Sequence, residues 1–317
     1  MENLKILITG VSGFIGSNVA HHLVNENHEV FGLSRNSKLS WRLDDIKEKV
    51  TFVSADITSY EHLKNSIRTI KPDGIIHCAQ YGAYPDESKT SEIYNVNLTG
   101  LFNILEVSSE FNVKWLINLG TSFEYGGSTH KLVEGSKIKP KSYYGLFKAE
   151  GTNLLSLYAG IKKIKLVTLR VFQAFGPYEA KERLAPYVIY NLLENNPIKL
   201  NNPHLRRDFV YVKDVVSAVE KTIRAMDRLA GHEIFNIGSG EFKSVEYFAK
   251  MGKKVLGSDS KIVCGNFVGK PEDSVSQLVA NITKARNMIG WNPDYDIKKG
   301  IKDFSNWLGE RINYYKQ

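Results

Sequence analysis

Lys5-Ile6-Leu7-Ile8-Thr9-Gly10-Val11-Ser12-Gly13-Phe14-Ile15-Gly16 is the stretch on which the fold turns. Lys5–Ile8 is an apolar-rich run of strand length, and an apolar-periodic helical pattern continues beyond the last glycine through Val24. Gly10, Gly13 and Gly16 fall in the turn between strand and helix. Without side chains there, backbone N–H groups can close on an anion, and the dipole of the helix N-terminus favours negative charge. In a strand–turn–helix context, that cradle is expected to hold the pyrophosphate of a dinucleotide. Gly10, Gly13, Phe14, Ile15 and Gly16 are the expected contacts.

The same rhythm runs on. Glu29–Leu33, Val50–Ser54, Gly74–His77, Trp115–Leu119 and Leu166–Arg170 are strand candidates, and helical patterns at Tyr60–Ile70, Ser91–Glu110 and Tyr144–Leu157 separate most of them. Strands alternating with helices predict an α/β protein with a doubly wound parallel sheet of about six or seven strands, helices on both faces. After Arg170 the rhythm loosens, punctuated by Pro177, Pro186, Pro197 and Pro203. A strand at Asp208–Val212 leads into a helix at Val215–Asp227, Ile234–Ile237 reads as another strand, and a helix spans about Ile297–Tyr314. Residues 1–172, with 208–237 returning to them, are expected to form the dinucleotide-binding part; 173–207 and 238–317 form a smaller, interleaved lobe. No flexible linker or internal repeat divides the chain.

At 317 residues, with 42% hydrophobic and 24% charged residues, the composition is that of a globular protein large enough for two lobes. No run reaches the roughly 18 apolar residues of a membrane span. The chain opens Met1-Glu2-Asn3 and enters a strand, so no signal peptide is expected and the protein reads as cytoplasmic. Cys78 and Cys264 are too few for a disulfide framework and are read as reduced. The net charge is +8, but the lysines are scattered without an aromatic-basic cluster. That argues for a surface biased towards anionic small molecules and against a nucleic-acid partner.

Which dinucleotide binds is decided at the end of the second strand, where an acid would accept from a ribose 2′-hydroxyl and repel a 2′-phosphate. The chain reads Leu33-Ser34-Arg35 there, with Arg35 nineteen residues beyond Gly16. A guanidinium can fork onto a phosphate and stack on adenine, so NADP is favoured, with NAD as the alternative.

Downstream, Thr121 follows the Trp115–Leu119 strand, and Tyr144 and Lys148 stand four apart, on one face of a helix. The same Tyr/Lys spacing also occurs at Tyr60/Lys64, Tyr158/Lys162 and Tyr295/Lys299, so spacing alone selects nothing. The order of glycine cradle, hydroxyl and Tyr-Gly-x-x-Lys does select, and it resembles the extended short-chain dehydrogenase/reductases, the epimerase/dehydratase type that works on nucleotide-activated sugars. Gly-x-x-Gly-x-x-Gly is that family's spacing, and the resemblance covers nearly the whole chain.

The resemblance implies a Rossmann-type fold, a nucleotide-sugar substrate and a homodimer formed through the helices Ser91–Glu110 and Tyr144–Leu157. It makes Thr121, Tyr144 and Lys148 the catalytic trio. Lys148 would also hold the nicotinamide ribose, and Asp56-Ile57 would meet the adenine. A free phenol titrates at about 10, and a nearby ammonium brings it towards useful range. No metal is expected. Where related 4,6-dehydratases carry Asp-Glu after the threonine, this chain has Ser122-Phe123, and a phenylalanine cannot take a proton. Hydride chemistry without elimination is therefore expected.

On the substrate side, Gln173 stands in the family's Arg-x-x-Asn-x-x-Gly-Pro pattern, at the asparagine position. Arg207 opens Arg207-Asp208-Phe209-Val210-Tyr211-Val212-Lys213-Asp214, whose arginine binds the sugar-nucleotide diphosphate in the family; an ion pair with Asp208 or Asp214 is its other reading. Lys270 falls where the family often has an arginine. Tyr81 and Tyr84 either meet the hexose or pack within their loop, and Ser122 stands beside Thr121. The expected reaction is NADPH-dependent reduction of a nucleotide-linked 4-keto-6-deoxyhexose at C4. A 4-epimerase of the UDP-glucose/UDP-galactose type, using NAD, is the alternative, and a non-catalytic NADP-binding regulator is the remaining reading.

Overall fold

The computed structural model describes residues 3–35, 40–84, 86–128, 130–162, 164–265 and 278–316. The elements run β1 (Lys5–Thr9), α1 (Phe14–Asn25), β2 (Glu29–Ser34), β3 (Val50–Ser54), α2 (Tyr60–Ile70), β4 (Gly74–His77), α3 (Thr90–Tyr94), α4 (Gly100–Glu110), β5 (Trp115–Thr121), α5 (Tyr143–Ile161) and β6 (Lys165–Val171). They continue with β7 (Gln173–Phe175), α6 (Leu184–Leu193), β8 (Ile198–Leu200), β9 (Arg206–Arg207), β10 (Phe209–Tyr211), α7 (Val212–Ala225), β11 (His232–Ile237), β12 (Lys243–Ser244), α8 (Val245–Leu256), β13 (Ile262–Cys264), α9 (Thr283–Ile289) and α10 (Ile297–Glu310).

Seven strands make one sheet in the order β11-β6-β5-β4-β1-β2-β3, every pair parallel. This is the doubly wound, Rossmann-type α/β architecture that the sequence predicts. Every residue of β4 and β5 is buried, which is why these strands read as apolar runs rather than as alternation. Successive residues of β1 serve opposite faces. Ile6 and Ile8 join the core under α1 and α7, and Leu7 joins the one under α2, α4 and α5. Strand order reverses between β1 and β4, which opens a crevice at their carboxyl ends.

A third core, built on Phe175, Val188, Ile189, Phe248, Ile301 and Phe304, gathers α6, α8 and α10 into a second lobe. β11 crosses back to pair with β6 in the main sheet.

Three elements depart from expectation. The helix over 91–110 carries one wider turn, with i→i+5 bonding, at Asn95–Thr99. The Asn97 amide donates to the carbonyl of Ile93 (2.8 Å), the acceptor that its own backbone N–H would take in a regular helix. The strand expected at 208–212 is β10 alone, paired with β7 outside the main sheet. Asp208 turns out of it and collects four hydrogen bonds, from Ser239 N and Oγ, Gly240 N and Ala280 N. The last long helix ends at Glu310, before a tight turn at Ile312–Tyr314.

Candidate active site

Gly10 adopts φ +66°, a left-handed conformation, and a Cβ there would lie 2.6 Å from the backbone nitrogen of Ala79. A Cβ on Gly16 would overlap the carbonyl of Gly10. Both positions exclude larger residues, so the β1–α1 turn lies flat against the end of β4. Gly13 caps α1 without a side chain, and no acid stands in the helix's first turn. The first N–H groups therefore face the crevice with the dipole uncompensated, an arrangement that accepts an anion.

At the far end of the crevice β2 closes on Ser34, whose Oγ lies 3.3 Å from that of Ser12. Arg35 follows, exposed. Asp56 has one carboxylate oxygen fixed by Thr58, at 2.9 Å from its N and 2.8 Å from its Oγ1. Ile57 is buried beside it. Gly10, Ser12, Gly13, Phe14, Ile15, Gly16, Ser34, Arg35, Asp56 and Ile57 all line one cleft of about 960 Å³. The glycine cradle, the free helix N-terminus and the hydroxyl pair fit a nicotinamide dinucleotide.

Thr121 ends β5 in the same cleft, and Tyr144 faces it from the first turn of α5. The Tyr144 hydroxyl donates to Gln80 Oε1 at 2.5 Å. Burial pushes this phenol above the usual tyrosine range, the Glu124 carboxylate adds to the rise, and a hydrogen bond with Thr121 works against it. Lys148, one helical turn on, is buried and donates from Nζ to the Leu119 carbonyl at 2.5 Å. Burial pulls its ammonium down to about 8, with Glu124 holding it up. Glu124 itself is fully buried. It accepts from Thr121 N (3.0 Å), Thr152 Oγ1 (3.0 Å) and Arg170 Nε (2.7 Å).

The outer part of the cleft carries Tyr84, Gln173, Glu179, Arg183 and Arg207. The Arg183 guanidinium lies 5.4 Å above the Tyr84 ring and 3.7 Å from Glu179 Oε1. Burial pushes the Glu179 carboxyl up to about 8, against the pull of Arg183. Arg207 is buried, with Nη1 donating to the Arg206 carbonyl at 3.0 Å. Ser122 opens on a small side recess shared with Phe123, Gln173 and Arg207 rather than on the main cleft. Tyr81 does not line the cleft; it packs on the core beneath α4, its main chain clasped by Asn97. Lys270 lies outside the described residues.

Sequence reasoning missed Gln80, Glu124, Glu179 and Arg183. For Glu124 a signal was present, since Thr121-Ser122-Phe123-Glu124 has the Thr-x-x-Glu spacing of a capping box, which the structure forms. For Gln80 the signal was its place in the loop just beyond β4, from which Tyr81 and Tyr84 were chosen instead; for Arg183 there was none.

With this cleft at the carboxyl ends of a parallel sheet, the chain is a dinucleotide-fold protein. Residues 6–238 match the model of the NAD dependent epimerase/dehydratase family, and the chain belongs to that family. It is 29% identical to a UDP-glucuronate 4-epimerase of Thermodesulfobacterium geofontis, over 98% of each chain. It is 26% identical to the CDP-abequose synthase of Salmonella muenchen, over 95% of this chain and 96% of the other. The crystal structure of a UDP-glucuronic acid 4-epimerase from Bacillus cereus, in complex with UDP-glucuronic acid and NAD, superposes with TM-score 0.84 at 24% identity, covering 97% of this chain and 100% of that one. Among the described residues no helix is long and apolar enough to cross a membrane.

Proposed function

We propose that this protein is an NADPH-dependent reductase of a nucleotide-linked 4-keto sugar, a 4-keto-6-deoxyhexose being the natural substrate. The observation that carries the reading is the end of β2. Ser34, paired with Ser12 and followed by Arg35, puts hydroxyls and a cation where an acid would reject a 2′-phosphate. When bound, the nicotinamide supplies the hydride for the carbonyl carbon. Tyr144 gives the proton to the carbonyl oxygen, and Thr121 donates to that oxygen as charge gathers on it. Lys148 holds the nicotinamide ribose and keeps positive charge near the phenol. Arg207 and Gln173 meet the diphosphate side of the substrate, and Tyr84 the sugar. Phe123 meets the Tyr144 ring in an edge-on contact (6.3 Å between centroids) and leaves no acid there for an elimination.

A second reading, an NAD-dependent 4-epimerase, is favoured by the names of the relatives, among which UDP-glucuronate and UDP-glucose 4-epimerases predominate over the CDP-abequose synthase. The two readings share the trio and differ in whether the hydride stays in the product or returns to the sugar's other face.

The deciding experiment supplies the purified protein with a nucleotide-linked 4-keto-6-deoxyhexose and follows the absorbance of NADPH. Stoichiometric consumption, lost by roughly a hundredfold or more in Tyr144→Phe, supports the reductase. Interconversion of C4 epimers with no net change in cofactor hands the case to the epimerase.

A further inference from the structure

We propose that Gln80 is a further residue of the reacting centre, whose amide carbonyl holds the Tyr144 hydroxyl in its protonated form so that the empty site rests ready to give a proton rather than to take one. The inference rests on Tyr144 being the proton donor. Gln80 lies just beyond β4, lines the cleft, and receives the Tyr144 O–H at 2.5 Å across sixty-four positions of sequence. Its neighbours on both sides are pinned. Ala79 N donates to Thr9 Oγ1 (3.4 Å), and the Tyr81 main chain is clasped by Asn97, which accepts from its N and donates to its O. Next along the loop, Gly82 N donates to Glu87 Oε2 at 2.8 Å. The backbone on either side of Gln80 is thus fixed, and the contact with Tyr144 orients its exposed side chain.

The chemistry of the contact is one-sided. A carbonyl oxygen can only accept, so it stabilises the phenol and opposes the phenolate, whose negative oxygen it would face. The other groups around Tyr144 are of both signs. Carboxylates of Glu124, behind β5, and Glu87, on the loop, disfavour the phenolate; the Thr121 hydroxyl and the Arg183 guanidinium favour it. Gln80 and Thr121 are the neutral groups in direct contact, and of the two Gln80 is the one whose acceptor oxygen favours the phenol. A protonated phenol suits a site whose first act is to donate to a ketone oxygen. A site that must first strip a hydroxyl is better served by the phenolate.

The test reads the phenol itself. Tyrosinate absorbance is titrated in the free protein, and the curve of each protein's Tyr144→Phe counterpart is subtracted to isolate residue 144. Gln80→Leu removes the acceptor and is expected to lower the midpoint by about one pH unit, and Gln80→Glu is expected to raise it. A midpoint unchanged or raised in Gln80→Leu, or lowered in Gln80→Glu, overturns the proposal. Either variant suffices if the other does not fold. Full turnover in Tyr144→Phe would instead remove the proton-donor reading, whatever the titration gives for Gln80.

Discussion

Arg170 Nε and Glu124 Oε2 meet at 2.7 Å in the interior, with both side chains almost wholly shut off from solvent. The pair ties β6 to the turn after β5, and through the other carboxylate oxygen it fixes the backbone of Thr121. Removing one member leaves a buried charge uncompensated, which costs about 3–5 kcal/mol, whereas removing both together costs less. Glu124→Ala is therefore expected to lose several kcal/mol in urea denaturation, and Glu124→Leu with Arg170→Met to recover part of it. A single variant as stable as the wild type would show that the pair contributes little.

Lys148 gives a pH dependence with a definite sign. Its ammonium falls from an ordinary 10.5 to about 8 on folding, through burial. Below about 8 folded and unfolded chains both hold the proton, and the fold bears the full cost of burying the charge. Between about 8 and 10.5 the unfolded chain binds more protons, so this group's contribution to stability rises with pH. In the proposed mechanism activity runs the other way, because there the charged form is the one that assists Tyr144. Turnover is expected to decline on the alkaline side with a midpoint near 8, and Lys148→Met to have low activity without that limb. A profile flat through pH 9 would remove Lys148 from the mechanism.

The sheet was legible because strands buried on both faces are apolar runs, and the cradle because only glycine tolerates Gly10's conformation and the contacts of Gly16. The Tyr/Lys spacing was not decisive alone, and the structure shows what the other pairs do: Tyr60 and Lys64 both attach to Glu110 on the surface. What escaped were features made by side chains folding back on the backbone. Asn97 widens one turn within a helix that its neighbours' periodicity promised, and the Asp208 side chain leaves the strand's edge to hold the turn at Ser239. Arg183 comes to Tyr144's end of the cleft from a distant segment and nothing in its local sequence marks it, whereas Gln80 stands in the loop after β4, where the neighbouring tyrosines drew attention instead.

Arg35 is the position at which the two leading functions part. Arg35→Asp places a carboxylate next to the hydroxyls of Ser34 and Ser12, where it repels a 2′-phosphate and accepts from a free 2′-hydroxyl. NADPH binding is expected to weaken by roughly tenfold or more, with NADH unaffected or tightened, as read by titration of each reduced cofactor. Equal affinities for both cofactors in the wild type, unchanged by the substitution, would sink the NADP assignment.

Two helices carry more apolar surface than one molecule covers. Phe102 on α4 is 45% exposed, and Leu157 and Ile161 on α5 are 63% and 67% exposed. α4 and α5 pack side by side against the sheet, so these residues lie on neighbouring elements of the outer layer. Water contact with large aliphatic and aromatic side chains is unfavourable by about 25 cal/mol per Å², and a second copy of the chain offers the same surface in return. A homodimer through α4 and α5 is the expected state, with a mass near twice 35.8 kDa by light scattering at micromolar concentration. Leu157→Asp with Ile161→Asp places charges in that interface and is expected to yield a folded monomer. A wild-type monomer, or a dimer indifferent to both aspartates, would place the contact elsewhere or nowhere.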